Sequence, residues 1–516
     1  METELKFEID AATADRLLES LGLASEGQEL ILKSVYYDTA GSLLRGQGIA
    51  LRVRDDGQRR IQTVKQANHS AISRGEWEAE VEGPGPDLAA TADSPLARAL
   101  GATGGADLKA AFEVTVERAK RDMAVGDGVV EVALDRGAVS ADGYGSPICE
   151  LELELKSGAP ALLFELARRL SEQETLELSF LTKAERGYAL LDGAALSPVK
   201  AARPRLGAKD TAEDAFRAIA CSALAQITAN ARVLRAARRP EAVHQLRVGT
   251  RRLRTAIGLF GPMLADDRIE SVKAELKWVA RELDEARNLD VFITETFRPV
   301  AARRRDIVGI GALGAALLSA QTRAYDRVEA ALRSRRFCQL TLETAAWIET
   351  GAWTRKDDEA ATALRQRPAR ELAAEILAEH HGKIISRGRK LAELSPAARH
   401  KVRIQAKKLR YGGDFFASLY RGKAARRLTR LTKALSAFQD GLGTLNDIAV
   451  GAGLIARLVG AAPEPQGEAA SARRKPDPAR AFAAGQVWAE REARGAGAME
   501  DSLKAYRRLA EAKPYW

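Results

Sequence analysis

Charged side chains recur at every second position in separate stretches of the N-terminal third of the sequence. The chain begins METELKF, in which Glu2, Glu4 and Lys6 alternate with uncharged residues. The alternation returns at Arg52 and Arg54, at Glu76, Glu78, Glu80 and Glu82, and at Glu150, Glu152, Glu154 and Lys156. Successive side chains of a β-strand point to opposite faces, so each stretch predicts a strand with one charged face. A single such face is usually solvated, but its repetition favours the lining of a barrel.

Short strands and turns are predicted over residues 1–192, with few helices. Besides the opening strand, the candidate strands are Ser34–Asp38, Ala50–Arg54, Arg60–Lys65, Gly75–Glu82, Phe112–Arg118, Val129–Asp135 and Ile148–Lys156, and the candidate helices are Ala11–Leu21 and Pro160–Glu172. Closing a sheet into a barrel removes its exposed edges. The pattern therefore predicts a closed antiparallel β-barrel with a polar interior.

The candidate interior holds charges of both signs. The acidic set is Glu2, Glu4, Glu76, Glu78, Glu131, Glu150, Glu152 and Glu154, and the basic set is Lys6, Lys33, Arg52, Arg54, Lys65, Arg74, Arg118, Lys183 and Arg186. Acidic clusters that offer only oxygen ligands suit Mg²⁺ or Mn²⁺, and Arg and Lys clamps suit phosphate oxygens. Such a tunnel is expected to bind a metal–polyphosphate complex, and no GxxxxGK[ST] phosphate loop offers another route.

The charge of the chain divides it into two parts. Residues 1–203 hold 23 Lys and Arg against 34 Asp and Glu, whereas the remainder holds 57 against 36. Residues 193–210, which are rich in Ala, Pro and Gly without periodicity, predict a linker between a domain of residues 1–192 and a domain of residues 211–516. No apolar run is long enough to span a membrane, and the three cysteines (Cys149, Cys221 and Cys338) form no CxxC pair. We expect a cytoplasmic protein.

The C-terminal part predicts helices throughout and contains an internal repeat. Val243-His-Gln-Leu-Arg-Val-Gly-Thr-Arg-Arg-Leu-Arg254 is echoed by Arg399-His-Lys-Val-Arg-Ile-Gln-Ala-Lys-Lys-Leu-Arg410. Each copy places four basic residues at i, i+3, i+7 and i+10, namely His244, Arg247, Arg251 and Arg254, and His400, Arg403, Lys407 and Arg410. On a helix these four lie within an arc of about 80°, so they repel one another unless an anion lies against them. A solvated helix face is the simpler alternative, and each His could equally be bonded within the core.

The N-terminal part resembles the CYTH domain of the triphosphate tunnel metalloenzymes. The resemblance rests on ETELKF, SVYYDT, ALRVR, TVK, RGEWEAE, VEVALDRG, CELELELKSG and TKAERGY, which occur in that order. It implies metal ligands at Glu2, Glu4, Glu150, Glu152 and Glu154, and triphosphate contacts at Lys6, Arg52, Arg54, Lys65, Arg118, Lys183 and Arg186. Glu76 and Glu78 could either support the metal ligands from outside or act as the general base, and with Glu2, Glu4 and Lys6 they complete the expected catalytic set. Asp135 and Lys33 match the family less closely.

The C-terminal part resembles the CHAD domain, through HQLRVGTRRLR, KKLRY, the related segments LDEARNLDV and LGTLNDIAV, and the closing KPYW. The resemblance implies two pseudo-symmetric four-helix bundles beside a basic groove that binds inorganic polyphosphate through the eight repeated residues. Asn230, Lys383, Arg387 and Arg389 are further candidates. Residues 461–482, rich in Pro and Ala, predict a loose loop. The scarcity of aromatic residues on the basic helices argues against specific nucleic-acid binding.

The expected fold class is α+β, with a barrel followed by an all-α domain. The expected function is Mg²⁺- or Mn²⁺-dependent hydrolysis of inorganic tripolyphosphate to pyrophosphate and phosphate, combined with binding of long-chain polyphosphate, which makes polyphosphate granules a candidate location. The alternatives are an idle barrel in a polyphosphate-binding protein, a class IV-type adenylate cyclase and a thiamine triphosphatase. No membrane partner is expected, and the oligomeric state is left open.

Overall fold

The computed structural model describes residues 1–101, 105, 107–356, 358–458 and 477–516. Within these ranges the N-terminal part contains nine strands, and the C-terminal part is helical. The strands are β1 (Glu2–Glu8), β2 (Gln28–Thr39), β3 (Ile49–Asp55), β4 (Arg60–Ala67), β5 (Ser73–Glu80), β6 (Leu108–Val125), β7 (Gly128–Ala141), β8 (Tyr144–Ser157) and β9 (Glu177–Leu178). The α+β fold class predicted from the sequence is confirmed.

Eight of these strands close into an antiparallel barrel. The neighbours run in the order β5-β4-β3-β2-β6-β7-β8-β1, and β1 also pairs with β5, where Glu2 lies opposite Arg74. The short strand β9 adds to β1 at Phe7 and Glu8. The opening strand of the sequence is therefore the closing strand of the barrel, which joins its first and last neighbours.

Several strands run further than the charge pattern predicted. β7 continues past Asp135 to Ala141, and β8 begins at Tyr144 rather than Ile148. The two strands meet at Asp142 and Gly143, both with positive φ (49° and 80°), a conformation that suits a two-residue hairpin turn. The alternation of charges ends before this turn, so it could not mark where the strands end.

Six helices accompany the barrel, and the last of them closes one end of its interior. They are α1 (Ala11–Ser20), α2 (Leu23–Glu26), α3 (Leu43–Gly46), α4 (Leu96–Leu100), α5 (Ala161–Ser171) and α6 (Lys183–Leu191). Tyr188 of α6 packs edge-on against Phe112, which stacks on Tyr36 of β2. A Cβ at Gly187 would lie 2.2 Å from the Phe112 ring, so glycine is what lets α6 approach this closely.

The remaining helices form two successive groups that reflect the internal repeat. The first consists of α7 (Ala212–Ala236), α8 (Pro240–Leu259), α9 (Ile269–Glu282), α10 (Asp284–Val291), α11 (Arg298–Arg303), α12 (Ile310–Arg333) and α13 (Arg335–Thr350). After α14 (Glu359–Gln366), the second consists of α15 (Ala369–Gly388), α16 (Pro396–Phe415), α17 (Gly422–Leu458), α18 (Pro478–Gly495) and α19 (Ala498–Glu511). The two copies of the repeat lie on α8 and α16, which pack on α7 and α15 and contact each other.

Two predictions about this part need correction. Asn230 is fully buried, and its side-chain amide bonds the backbone N–H and C=O of Val199 in the segment that follows the barrel, so it is not available to a phosphate chain. The predicted loop 461–482 lies outside the described residues as far as 476, but its end is helical. The Asp477 side chain accepts from the first backbone N–H groups of α18, which caps that helix.

The barrel and the helices share a continuous apolar core. Leu5 and Phe7, on the outer face of β1, belong to the same buried cluster as Phe216 and Leu224 of α7. Polar contacts add to it, such as the Arg168 pair with Glu343 at 2.6 Å. Residues 193–210 hold no regular element and pack along this boundary, so the division at 192 and 211 stays a prediction. None of the described helices is both long and apolar enough to cross a bilayer.

Candidate active site in the barrel

The register of strand pairing places the alternating charges on one surface, the inside of the barrel. Residues directly opposite each other on paired strands share a face. Lys6 lies opposite Glu152, Arg118 opposite Asp135, and Lys65 opposite Glu76. Lys33 lies on the other face and is exposed, so it does not belong to this set. Every residue of the predicted catalytic, metal and triphosphate sets is on the inner face or on α6.

Three carboxylates form the centre of this interior. Asp135, Glu150 and Glu152 each offer an oxygen within 4.8 Å of the others, and all three are buried. Among the described residues, Glu150 Oε2 has no hydrogen-bond partner. A buried carboxylate oxygen that receives no hydrogen bond, with Arg186 Nη2 at 3.5 Å, and an all-oxygen ligand set both fit a hard divalent cation such as Mg²⁺ or Mn²⁺.

The ammonium group of Lys183 lies within this cluster. Its Nζ is 2.6 Å from Asp135 and 2.9 Å from Glu152, and it also contacts Glu150. Burial by itself would favour the neutral forms of Glu152 and Lys183, but the opposite charges around each group outweigh the effect of burial on its pKa. They hold the pKa of Glu152 well below its usual range and the pKa of Lys183 well above its own. Lys183 thus lies between the three carboxylates of the cluster.

Two further cations complete the ring around the cluster. Lys6 Nζ lies 3.0 Å from Glu152 and 3.9 Å from Glu150. Arg118 forms a bidentate pair with Asp135 at 2.6 and 2.7 Å and also donates to Glu152 at 2.5 Å. Each carboxylate is therefore shared by several cations, an arrangement that can exchange partners without leaving a charge unpaired.

Glu2 and Glu4, the first two glutamates of the opening strand, are held by a different pair of cations. Lys65 donates to both oxygens of Glu2 at 2.8 and 2.7 Å, and Arg74 bridges Glu2 at 2.6 Å and Glu4 at 2.5 Å. Burial opposes ionisation, but Lys65 and Arg74 lower the pKa of Glu2 to about 2. Arg74, which the sequence places in the basic set, is therefore an interior residue.

A cluster of guanidinium groups lies on the wall of the barrel opposite the carboxylate cluster. Arg52 and Arg54 reach Glu78 only at 3.9 and 4.0 Å. Burial lowers the pKa of Arg54 to about 10, and the neighbouring cations Arg52 and Arg118 contribute to that shift. Like charges this close are stabilised by an anion between them, so this wall is the part of the interior best suited to phosphate oxygens.

Glu154 is set apart from the other predicted metal ligands. It pairs with Lys156 at 2.9 Å, and Lys156 also reaches Glu131 at 3.5 Å. Burial raises the pKa of Glu154, in spite of the hydrogen bond from Lys156. The structure thus brings Glu150 and Glu152 together with Asp135, and it places Glu154 one step along the strand and Glu2 and Glu4 beside Arg74.

Two members of the interior were given no role from the sequence. Asp135 was named only as a weaker match to the family, although it lies four residues from Glu131 on the same face of β7. Glu8 continues the alternation of Glu2, Glu4 and Lys6 by one step, and it lies opposite Glu150. Extending the alternation in β1 by one step would have found Glu8, and following it from Glu131 past the uncharged Ala133 would have found Asp135.

The motif TKAERGY explains why two cations of α6 lie in the barrel interior. Thr182 and Glu185 form a capping box that starts the helix at Lys183. Lys183 and Arg186 are one turn apart and thus share a face, and both are buried. Arg186 donates to Glu8 at 2.6 Å and lies 3.5 Å from Glu150.

The basic stripe, defined as the eight repeated residues on α8 and α16, differs between its two copies. Arg247 pairs with Asp284 at the start of α10. The corresponding position after the second copy is Gly443, where a Cβ would lie 3.6 Å from Arg403 Nη2. Burial lowers the pKa of His244, and Arg287 lowers it further, so this histidine favours its neutral form. Arg287 is a cation beside the stripe that the repeat did not reveal.

Comparison with known proteins assigns both halves to families. The CYTH domain model matches residues 1–188, and the CHAD domain model matches residues 218–456. The chain is similar to an inorganic triphosphatase from Haemophilus influenzae, with 30% identity over 194 residues, or 37% of this chain and 54% of that protein. It therefore spans about half the length of this curated relative.

Two solved structures are similar to parts of the chain. The CHAD domain from the plant Ricinus communis has 27% identity and a TM-score of 0.49, and the match covers 60% of this chain and 96% of that one. A candidate adenylyl cyclase from Hippeastrum, described as having a dominant triphosphatase activity, has 18% identity and a TM-score of 0.28, with 37% and 96% covered. The matches of the family models identify the chain as a CYTH domain followed by a CHAD domain.

Proposed function

We propose that the barrel hydrolyses the terminal phosphate of inorganic tripolyphosphate with the help of Mg²⁺ or Mn²⁺. The observation that carries the proposal is the ring of cations around Asp135, Glu150 and Glu152 inside a closed barrel. A metal–triphosphate complex also carries both signs of charge. Each carboxylate can exchange an internal cation for the metal, and each cation can exchange a carboxylate for a phosphate oxygen.

The roles of the residues follow from this exchange. Glu150 and Glu152, with Asp135 beside them and Glu2, Glu4 and Glu154 along the same wall, would hold the divalent ions. When bound there, Mg²⁺ or Mn²⁺ supplies neutralisation of the phosphate charge and lowers the pKa of a water. Lys6, Lys183 and Arg118, once released, would bind the phosphate oxygens and stabilise the charge on the leaving pyrophosphate.

The opposite wall supplies the second half of the substrate site. Arg52 and Arg54, with Lys65 on the neighbouring strand, would bind further phosphate oxygens of the same substrate, and Arg186 would bind them from α6. Glu76 and Glu78 lie among these cations, Glu76 at 2.9 Å from Lys65, which keeps both as candidates for the general base. Tripolyphosphate fits this lining because it offers phosphate oxygens along its whole length and no apolar group.

The helical half is proposed to bind longer inorganic polyphosphate along the basic stripe. Its support is the identical register of the two copies on α8 and α16, together with Arg287 beside the first. Polyphosphate consists only of the charged backbone that such a stripe can contact, and its binding should weaken with salt as nucleic-acid binding does.

Phosphate release tests the enzymatic proposal directly. The wild type is incubated with tripolyphosphate, ATP and thiamine triphosphate in Mg²⁺, in Mn²⁺ and in chelator, beside Glu152→Gln and a surface control, Glu500→Gln. We expect metal-dependent release from tripolyphosphate that Glu152→Gln abolishes and Glu500→Gln retains. Release mainly from thiamine triphosphate would reassign the substrate, and formation of cyclic AMP from ATP without phosphate release would indicate a cyclase. No turnover of any of the three would leave a polyphosphate-binding protein with an idle barrel.

A further inference from the structure

An ion-pair chain leads from the candidate active site into the helical domain. It begins at Glu150, whose carboxylate lies 3.5 Å from Arg186 Nη2. The same Nη2 donates to Glu8 at 2.6 Å. The second cation on Glu8 is Arg232 of α7, whose Nε lies 3.1 Å from the carboxylate. One interior carboxylate of the barrel is thus shared between α6 of the barrel and α7 of the helical half.

Arg232 is held in this position from both sides. Its Nη1 donates to the backbone C=O of Ala195 at 3.1 Å, in the segment between the domains. Its side chain is 21% exposed, and those of Glu8 and Arg186 are 18% and 5% exposed. Charges this shielded interact more strongly than surface ions, so loss of one partner changes how firmly the others are held.

Sharing Glu8 with Arg232 affects how firmly Arg186 is held. With Arg232 in place, the charge of Glu8 is divided between two guanidinium groups, and Arg186 can leave Glu8 for a phosphate oxygen without leaving that carboxylate unpaired. Without Arg232, Arg186 is the one guanidinium within 4 Å of Glu8 among the described residues, and the substrate must compete with a buried carboxylate for it.

We propose that Arg232 of the CHAD domain is a positioning residue for the triphosphate site of the CYTH domain. It shares the charge of Glu8 and so makes Arg186 available to the substrate. This inference rests on the proposed function of the barrel. It assigns the helical domain a part in the reaction that does not involve binding polyphosphate.

The test separates a positioning role from simple docking of the domains. Arg232→Gln and Arg232→Lys are compared with the wild type in full-length protein, and Arg168→Gln is the matched control, because Arg168 forms an arginine–glutamate pair between the same two domains, with Glu343, at 2.6 Å. The readouts are kcat and KM for tripolyphosphate and, in chelator, the Kd for tripolyphosphate by calorimetry. We expect Arg232→Gln to raise KM and Kd about tenfold with kcat within about twofold. Arg232→Lys should recover part of the loss, and Arg168→Gln should match the wild type.

A double mutant tests the route through Glu8. If Arg232 acts by sharing that charge, Arg232→Gln should have little further effect on KM in a Glu8→Gln background. Equal loss in Arg232→Gln and Arg168→Gln would mean that Arg232 only docks the domains, and an unchanged KM in Arg232→Gln would also overturn the inference. A wild type that neither turns over nor binds tripolyphosphate would instead refute the proposed function, and the inference with it.

Discussion

Replacing Lys183 by methionine removes the cation that lies between three buried carboxylates. Its Nζ is 2.6 Å from Asp135 and 2.9 Å from Glu152, and its side chain is 9% exposed. Removing one member of a buried ion pair costs about 3–5 kcal/mol, because the remaining charge stays buried without its partner. Lys6 and Arg118 remain beside the cluster and offset part of this, so we expect the lower end, about 3 kcal/mol. A domain of this size loses about 2–4 °C per kcal/mol, which gives about 6–12 °C.

A divalent cation should reverse this loss. In the wild type the ion competes with the Lys183 ammonium for the carboxylates, whereas in Lys183→Met it does not. An ion at about 100 times its Kd stabilises by about 2.7 kcal/mol. Mn²⁺ should therefore recover most of the lost stability in the variant and raise the melting temperature of the wild type by less.

Calorimetric unfolding of the full chain, in chelator and across a Mn²⁺ titration, measures both effects. Lys120→Met is the control, because Lys120 pairs with Glu131 on the same inner face at 2.8 Å but is 30% exposed and does not touch the carboxylate cluster. We expect it to cost less than about 1 kcal/mol. A Lys183→Met protein as stable as the wild type in chelator, or the same Mn²⁺ shift in both, would refute the exchange of Lys183 for metal.

Three further predictions follow from the remaining contacts. The pKa of Glu2 falls from 4.5 to about 2 on folding, so the carboxylate contributes about 3 kcal/mol of stability above pH 4.5, and this contribution is lost as the pH falls towards 2. In urea unfolding, Glu2→Gln should therefore be less stable than the wild type by an amount that shrinks over this pH window. A loss of stability that does not depend on pH would contradict the assignment. Polyphosphate binding should weaken at least tenfold, and its salt dependence should become less steep, when Arg247, Arg251, Arg403 and Lys407 are replaced together by Ala. Tripolyphosphate hydrolysis should be retained. Unchanged polyphosphate binding in a filter or calorimetric assay would eliminate the basic stripe as the binding site. Asn230→Leu should lower the free energy of unfolding by about 1–3 kcal/mol, because it leaves the backbone N–H and C=O of Val199 without their hydrogen-bond partner. The affinity for polyphosphate should not change. A loss of affinity in a stably folded variant would show that Asn230 belongs to the binding site after all.

The sequence by itself determined which side chains share a face. Period-two charges marked the inner surface of the barrel, and the i, i+3, i+7, i+10 spacing marked one side of α8 and of α16. Both are local properties of the backbone, since the direction of a side chain repeats with the period of its own strand or helix. The prediction stopped short at Glu8, one step beyond Lys6 in the alternation, and at Asp135, which the uncharged Ala133 separates from Glu131 on the same face.

Only the tertiary structure decided which of those charges meet. Lys183 reaches Asp135 and Glu152 because the barrel closes and α6 packs against one end, and Glu8 reaches Arg232 because the helical domain packs on β1. Asn230 was assigned to the wrong partner for the same reason, since nothing in its own helix indicates that the segment near Val199 crosses it. A contact between residues far apart in the chain depends on closure and docking, and these are set by the packing of the whole core and not by any local period.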